Sequence, residues 1–188
     1  MTDQTEKTET EFDLSDFTAL IVEDFSFIAQ ILSLSLQEMG VGNVMTAENG
    51  ALAQNKIQAF NSLQNDKSID VIILDWLMPV MDGKELIKWI RAHKKDTIKF
   101  IPIVVCSGYT SEKLVFETRD LGANEVIVKP VSASEIARRI QYVINKPRPF
   151  VQSKTFFGPD RRRQNKRFEG ENKRIAKPQD IKNTHEQK

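Results

Sequence analysis

The chain has 188 residues, 40% of them hydrophobic, with 27 basic and 26 acidic side chains and a formal net charge of +1, which suits one domain of ordinary size with something left over. Its single cysteine, Cys106, excludes an intrachain disulfide and a cysteine-based zinc site. The near-neutral total hides an asymmetry: twelve basic against five acidic residues from Pro147 onward make that part +7 and leave −6 for Met1 to Lys146.

Taken in order, residues 1–16 are polar and acidic, lack a basic start or an apolar segment, and are expected to be a disordered extension rather than a secretory leader. No run approaches the length of a membrane span, so a cytoplasmic protein is expected. Residues 17–146 carry the pattern of a folded domain. Phe17 to Val22 is an apolar run ending in Glu23-Asp24. From Ser26, the residues Ile28, Ile31, Leu32, Ser35, Leu36 and Met39 recur at helical spacing, and Gly40 and Gly42 close the segment. A short strand over Asn43 to Ala47 follows. Asn49-Gly50 then opens a helix carrying Leu52, Ala53, Ile57 and Phe60. Asp70 to Asp75 reads as a buried strand, and Lys84 to about His93 as a helix burying Leu86, Ile87 and Ile90. Phe100 to Cys106 is a fourth strand ending at Ser107-Gly108, and a helix spans about Ser111 to Asp120. Glu125 to Val128 is the fifth strand, with Lys129-Pro130 at its end. The last helix starts near Ser132, where Ser132 and Glu135 are spaced as a capping box, and buries Ile136, Ile140, Val143 and Ile144.

Five βα units in about 130 residues call for a parallel sheet with right-handed crossovers, and the length excludes an eight-stranded barrel. The expected fold is α/β, a doubly wound (βα)5 sheet. In such sheets the loops after the strands share one edge, where ligands bind. That edge gathers Glu23 and Asp24 from the first strand, Asp75 from the third, Ser107 from the fourth and Lys129 from the fifth. Asp75 alone reads equally well as a cap for the next turn. In this company it reads as a nucleophile. Three carboxylates in one pocket repel one another unless a cation is present, and hard oxygen donors suit Mg²⁺. A carboxylate flanked by a cation, a hydroxyl and an ammonium makes a site for phosphoryl transfer onto Asp75.

These residues bring the sequence close to a known family. Val22-Glu23-Asp24, Leu74-Asp75 with Met78-Pro79 and Asp82-Gly83, Cys106-Ser107-Gly108 and Val128-Lys129-Pro130 together resemble the receiver domains of two-component response regulators, over roughly Thr18 to Lys146. The resemblance implies a flavodoxin-like strand order, 2-1-3-4-5, and Asp75 as phosphoacceptor. It implies Mg²⁺ held by Glu23, Asp24, Asp75 and the backbone carbonyl of Leu77. Ser107 and Lys129 would bond the phosphoryl group, and the Lys129-Pro130 peptide would be cis. The donor would be a histidine kinase or histidine phosphotransfer protein, and the output a downstream protein target.

Two positions depart from the family pattern. The aromatic residue usual on the fifth strand is Val126 here, so the ring-swinging switch is in doubt and output is expected to run through the loop after Ser107 and the helix behind it. Leu77 and Tyr109, which by the resemblance overhang the phosphoryl group, offer no acid or amide to steer a water, so slow hydrolysis is expected.

Residues 147–188 show no second globular pattern, no helix-turn-helix periodicity and no strands, and are expected to be a largely disordered basic tail with a recognition segment from Phe156 to Arg163. Docking on a protein, contact with nucleic acid, and binding of a cyclic dinucleotide through Arg163 and Arg167 compete as its use. Two other classes compete for the whole chain. Glu23-Asp24 would repel the phosphate of a flavodoxin-like cofactor. Leu77 stands where an aspartyl-phosphate hydrolase of the haloacid dehalogenase type needs a second aspartate.

Overall fold

Five short runs of mostly aliphatic residues pair side by side in parallel: β1 (Thr18–Val22), β2 (Asn43–Ala47), β3 (Val71–Asp75), β4 (Ile103–Ser107) and β5 (Glu125–Val128), in the order β2-β1-β3-β4-β5. The computed structural model describes residues 13–61, 68–108, 111–162, 174–176 and 181. Side chains alternate across a sheet, so each continuous apolar run feeds two cores. Leu20, Val22, Ile72, Leu74, Ile103 and Val105 face α2 (Gly50–Phe60), α3 (Gly83–Arg91), the short α4 (Asp96–Lys99) and α5 (Glu112–Leu121). Ala19, Ile21, Val71, Ile73, Val104 and Cys106 face α1 (Ser26–Glu38) and α6 (Ala133–Asn145). This is the doubly wound sheet that the βα alternation predicts.

Several boundaries and burial assignments differ from expectation. β4 starts only at Ile103, because Asp96–Lys99 winds into one helical turn whose Ile98 is buried. In α1, Ile31 is 45% exposed although its spacing placed it on the buried stripe. At α6, Ser132 Oγ accepts from Glu135 N at 3.2 Å, but the Glu135 carboxylate turns to Arg138 and Arg139 instead of closing the capping box. A complete box forms at α3, where Asp82 and Glu85 exchange bonds of 2.8 and 3.3 Å. Residues 1–12 lie outside the described residues, yet Leu14 is buried under β1 and β2, its carbonyl accepting from Phe17 N and Gly42 N. Gly42 is required there, since a Cβ would lie 1.6 Å from the Ser15 carbonyl oxygen.

The largest correction concerns the segment after α6. It contains strands: β6 (Phe150–Ser153) pairs antiparallel with β7 (Phe157–Pro159) and with β8 (Arg174–Ala176). The β6-β7 hairpin is tied to the domain by an aromatic cluster, with the rings of Phe150 and Phe157 at 4.8 and 5.3 Å from that of Phe100. Beneath it the buried Arg91 guanidinium sits 5.3 Å from the Phe150 ring and donates to the carbonyls of Gly122, Lys99 and Ile101 and to Asn124 Oδ1. Burial pushes this guanidinium down to about 9, which leaves it charged at neutral pH. Gly158 lies so close to the α5–β5 turn that a Cβ would meet Gly122 Cα at 2.9 Å. Arg161 closes the strap with a 2.8 Å bond to Asp120 at the end of α5. Phe150 is 2% exposed, so Phe150→Ala removes core packing; urea unfolding is expected to show a loss of about 3 kcal/mol, whereas a peripheral tail would show none.

Candidate functional site

Parallel register sets which side chains meet at the carboxyl edge. Val22 pairs with Ala47 and Leu74, Asp75 with Cys106, and Ser107 with Val128, so the residues that follow each strand emerge on one rim. Glu23 N donates to Ala47 O at 3.0 Å and Lys129 N to Ser107 O at 2.7 Å, which carries the sheet's alignment one residue past β1 and β5. The Lys129-Pro130 peptide is cis.

The result is a tight charged cluster. Carboxylate oxygens of Glu23, Asp24 and Asp75 lie within 4.8 Å of one another. Lys129 Nζ bridges two of them, at 2.7 Å from Glu23 Oε2 and 3.0 Å from Asp75 Oδ1. Burial raises the Glu23 pKa above the ordinary carboxylate value, with the bond from Lys129 opposing and the charge of Asp75 adding to it. Burial also works against the Lys129 ammonium, but the bonds to Glu23 and Asp75 outweigh it and hold its pKa above the usual value. Ser107, 1% exposed, stands one residue beyond Asp75's neighbour Cys106. Cys106 itself is inert, its thiol pushed up to about 12 by burial. The donor set fits Mg²⁺: oxygen ligands only, three carboxylates converging, and an exposed mouth at Asp24.

The loop behind Asp75 is held from several sides. Trp76 and Met78 are buried, Gly83 N donates to Trp76 O at 3.1 Å, and a Cβ on Gly83 would lie 2.6 Å from Asp75 O. Gly50 N donates to Met81 O at 3.0 Å, which pins the loop to the start of α2. Val80 is left in the left-handed region at φ 69°, a strained conformation for a β-branched residue. Leu77 points outward, 51% exposed; Tyr109, its expected companion, lies outside the described residues, as do Arg163 and Arg167.

Sequence reasoning missed one feature beside this cluster. Phe25, Phe27, Ile31 and Leu34 are all exposed along the start and outer side of α1, and Val80 is 84% exposed across the loop. The signal was an excess: α1 holds more apolar residues than one buried stripe needs.

An open five-stranded parallel sheet in the flavodoxin-like order, with acidic groups and a lysine gathered at its carboxyl edge, defines the class of CheY-like signalling modules. The sequence profile of the response regulator receiver domain matches residues 19–141, and the chain belongs to that family of two-component signalling proteins. It is 30% identical over 125 residues to a chemotaxis protein CheY homolog of Campylobacter jejuni, covering 66% of this chain and 90% of the relative. Among solved structures it is similar to CheY4 of Vibrio cholerae, with 34% identity, a TM-score of 0.59, and coverage of 68% of this chain and 98% of that one. It is also similar to CheY in the CheX-CheY-BeF3-Mg²⁺ complex of Borrelia burgdorferi, with 28% identity, a TM-score of 0.60, and coverage of 68% and 88%. Among the described residues no helix is long and apolar enough to cross a membrane.

Proposed function

We propose that the protein is a phosphorylation switch in which Asp75 accepts a phosphoryl group from a histidine kinase or a histidine phosphotransfer protein. The observation that carries this reading is Lys129 Nζ bonded to Asp75 and Glu23 together, with Asp24 completing the acidic set. A carboxylate oxygen of Asp75 attacks phosphorus, the donor's N–P bond breaks, and the imidazole leaves with the electron pair. Lys129 keeps its bond to the carboxylate and meets the negative charge on the transferred oxygens, while Ser107 offers a hydroxyl from the end of β4. Glu23, Asp24, Asp75 and the Leu77 carbonyl would hold Mg²⁺, which when bound neutralises charge on the phosphoryl oxygens. The relative solved with BeF3 and Mg²⁺ supports assigning the same cation here.

The apolar residues on α1 beside the cluster suit a helical donor that presents its histidine over Asp75. Output is assigned to protein–protein contact. The added charge of about −1.5 to −2 falls at an acidic rim next to Ser107, whose strand leads into the loop before α5. Acetyl phosphate with Mg²⁺ is expected to label the intact protein with one phosphoryl group, and chelation by EDTA to abolish the labelling. Steady turnover of a generic phosphatase substrate without a stable adduct would instead favour the aspartyl-phosphate hydrolase reading.

A further inference from the structure

Away from the carboxyl edge, the surface between α5, β5 and α6 opens into a cavity of about 290 Å³. Ala123 and Val126 give it an apolar floor, and three arginines, Arg119, Arg139 and Arg148, line it against one carboxylate, Glu125. They come from three separate places: Arg119 from the last turn of α5, Arg139 from α6, and Arg148 from the chain beyond α6. Arg148 is aimed by the strap, donating to Asn124 O at 3.3 Å and to the Asp160 carbonyl. Arg139 Nε donates to Glu135 at 3.0 Å, and its Nη1 reaches Glu125 Oε2 only at 3.5 Å.

Arg119 is the informative member. Its Nε is buried and has no hydrogen-bond partner. The Asp120 oxygen 3.6 Å away is beyond bonding reach and already accepts from Arg161 at 2.8 Å. The guanidinium is held instead over the Phe116 ring, 4.8 Å from its centroid. The Arg119 side chain as a whole is 37% exposed, and the lining of the cavity it borders is net positive. Guanidinium forks match phosphate and carboxylate oxygens in pairs. The small side chain of Val126 leaves the floor open to a flat or apolar body, and the volume sits near the lower end of small-molecule sites, roughly 300–1,000 Å³.

We propose that this cavity binds an organic phosphate of about mononucleotide size, its phosphoryl oxygens on Arg119 and Arg148 and its body against Val126 and Ala123. Such a ligand would bridge α5, β5 and α6 and tie the strap to the face that follows Ser107. An acidic peptide is the rival occupant; a volume of about 290 Å³ floored by Ala123 and Val126 argues for a compact ligand that enters the cavity rather than one that lies along its rim.

The test uses the full-length Asp75→Asn protein without Mg²⁺, so that the acidic cluster takes no part. Calorimetry with AMP is expected to show one site, competed by inorganic phosphate. Affinity is expected to fall at least about tenfold in Arg119→Gln and in Arg148→Gln, and to vanish when Val126→Trp fills the floor. On the same protein, AMP should shift the Val126 methyl resonances, a readout that survives if one variant folds poorly. No AMP binding at millimolar concentration, binding unchanged in all three variants, Val126 methyls that do not move, or saturable binding of a glutamate-rich peptide with none of AMP would each overturn the proposal.

Discussion

With asparagine at position 75, labelling by acetyl phosphate is expected to fall at least about 10³-fold, the scale on which removing a nucleophile acts. The substitution keeps the shape of the side chain and its Oδ1, which still accepts from Lys129, now 3.0 Å away. It removes one of three negative charges packed within 4.8 Å and one of the influences that raise Glu23, so the fold is not expected to suffer. Urea unfolding of Asp75→Asn should therefore show a midpoint equal to or above that of the parent protein. The two readouts together separate chemistry from collapse. Undiminished labelling would mean that the phosphoryl group goes to another carboxylate, Glu23 or Asp24 being the neighbours in reach.

What the sequence disclosed follows from where each interaction is encoded. Strands buried on both faces show themselves as unbroken apolar runs such as Val71 to Leu74, and the spacing of Leu86, Ile87 and Ile90 marks a helix face, because both depend on neighbours within a few residues. The acidic cluster was legible one step further out. Lys129 and Glu23 are 106 residues apart, and only the requirement that parallel strands end on the same edge brings them together. The strap was not legible, since strands of three and four residues have almost no local signal. Their order resides in partners that look ordinary in sequence: Phe100 at the start of an apolar run, Gly122 in a turn, and Arg91 within a helix. Leu14, an apolar residue in an acidic stretch, was hidden for the same reason. The exposure of Ile31 was missed because periodicity gives the direction of a side chain but not what lies opposite it.

The second large effect concerns how long the phosphoryl group stays. Loss of the signal requires a water in line with phosphorus, on the side away from Asp75, and the side chains that overhang that side decide whether one is held there. Leu77 is one of them by the family resemblance. It stands 51% exposed on a loop fixed by Gly83 and Gly50, and its isobutyl group can neither accept from nor donate to a water. Tyr109 is the other by the same resemblance, bulky and without an acid or amide. The backbone carbonyl of Leu77, the assigned metal ligand, is unaffected by changes to its side chain, so uptake and decay can be tuned apart. In the double variant Leu77→Asn with Tyr109→Glu, an amide and a carboxylate replace two groups that only shield. The phosphorylated state is expected to decay about tenfold faster or more, with labelling yield at early times unchanged. The measurement is the lifetime of the acetyl phosphate adduct after removal of the donor, by intact mass. A parent lifetime no longer than that of the double variant would show that these side chains do not control the water, and that the decay rate is set by Lys129 and the acidic cluster alone.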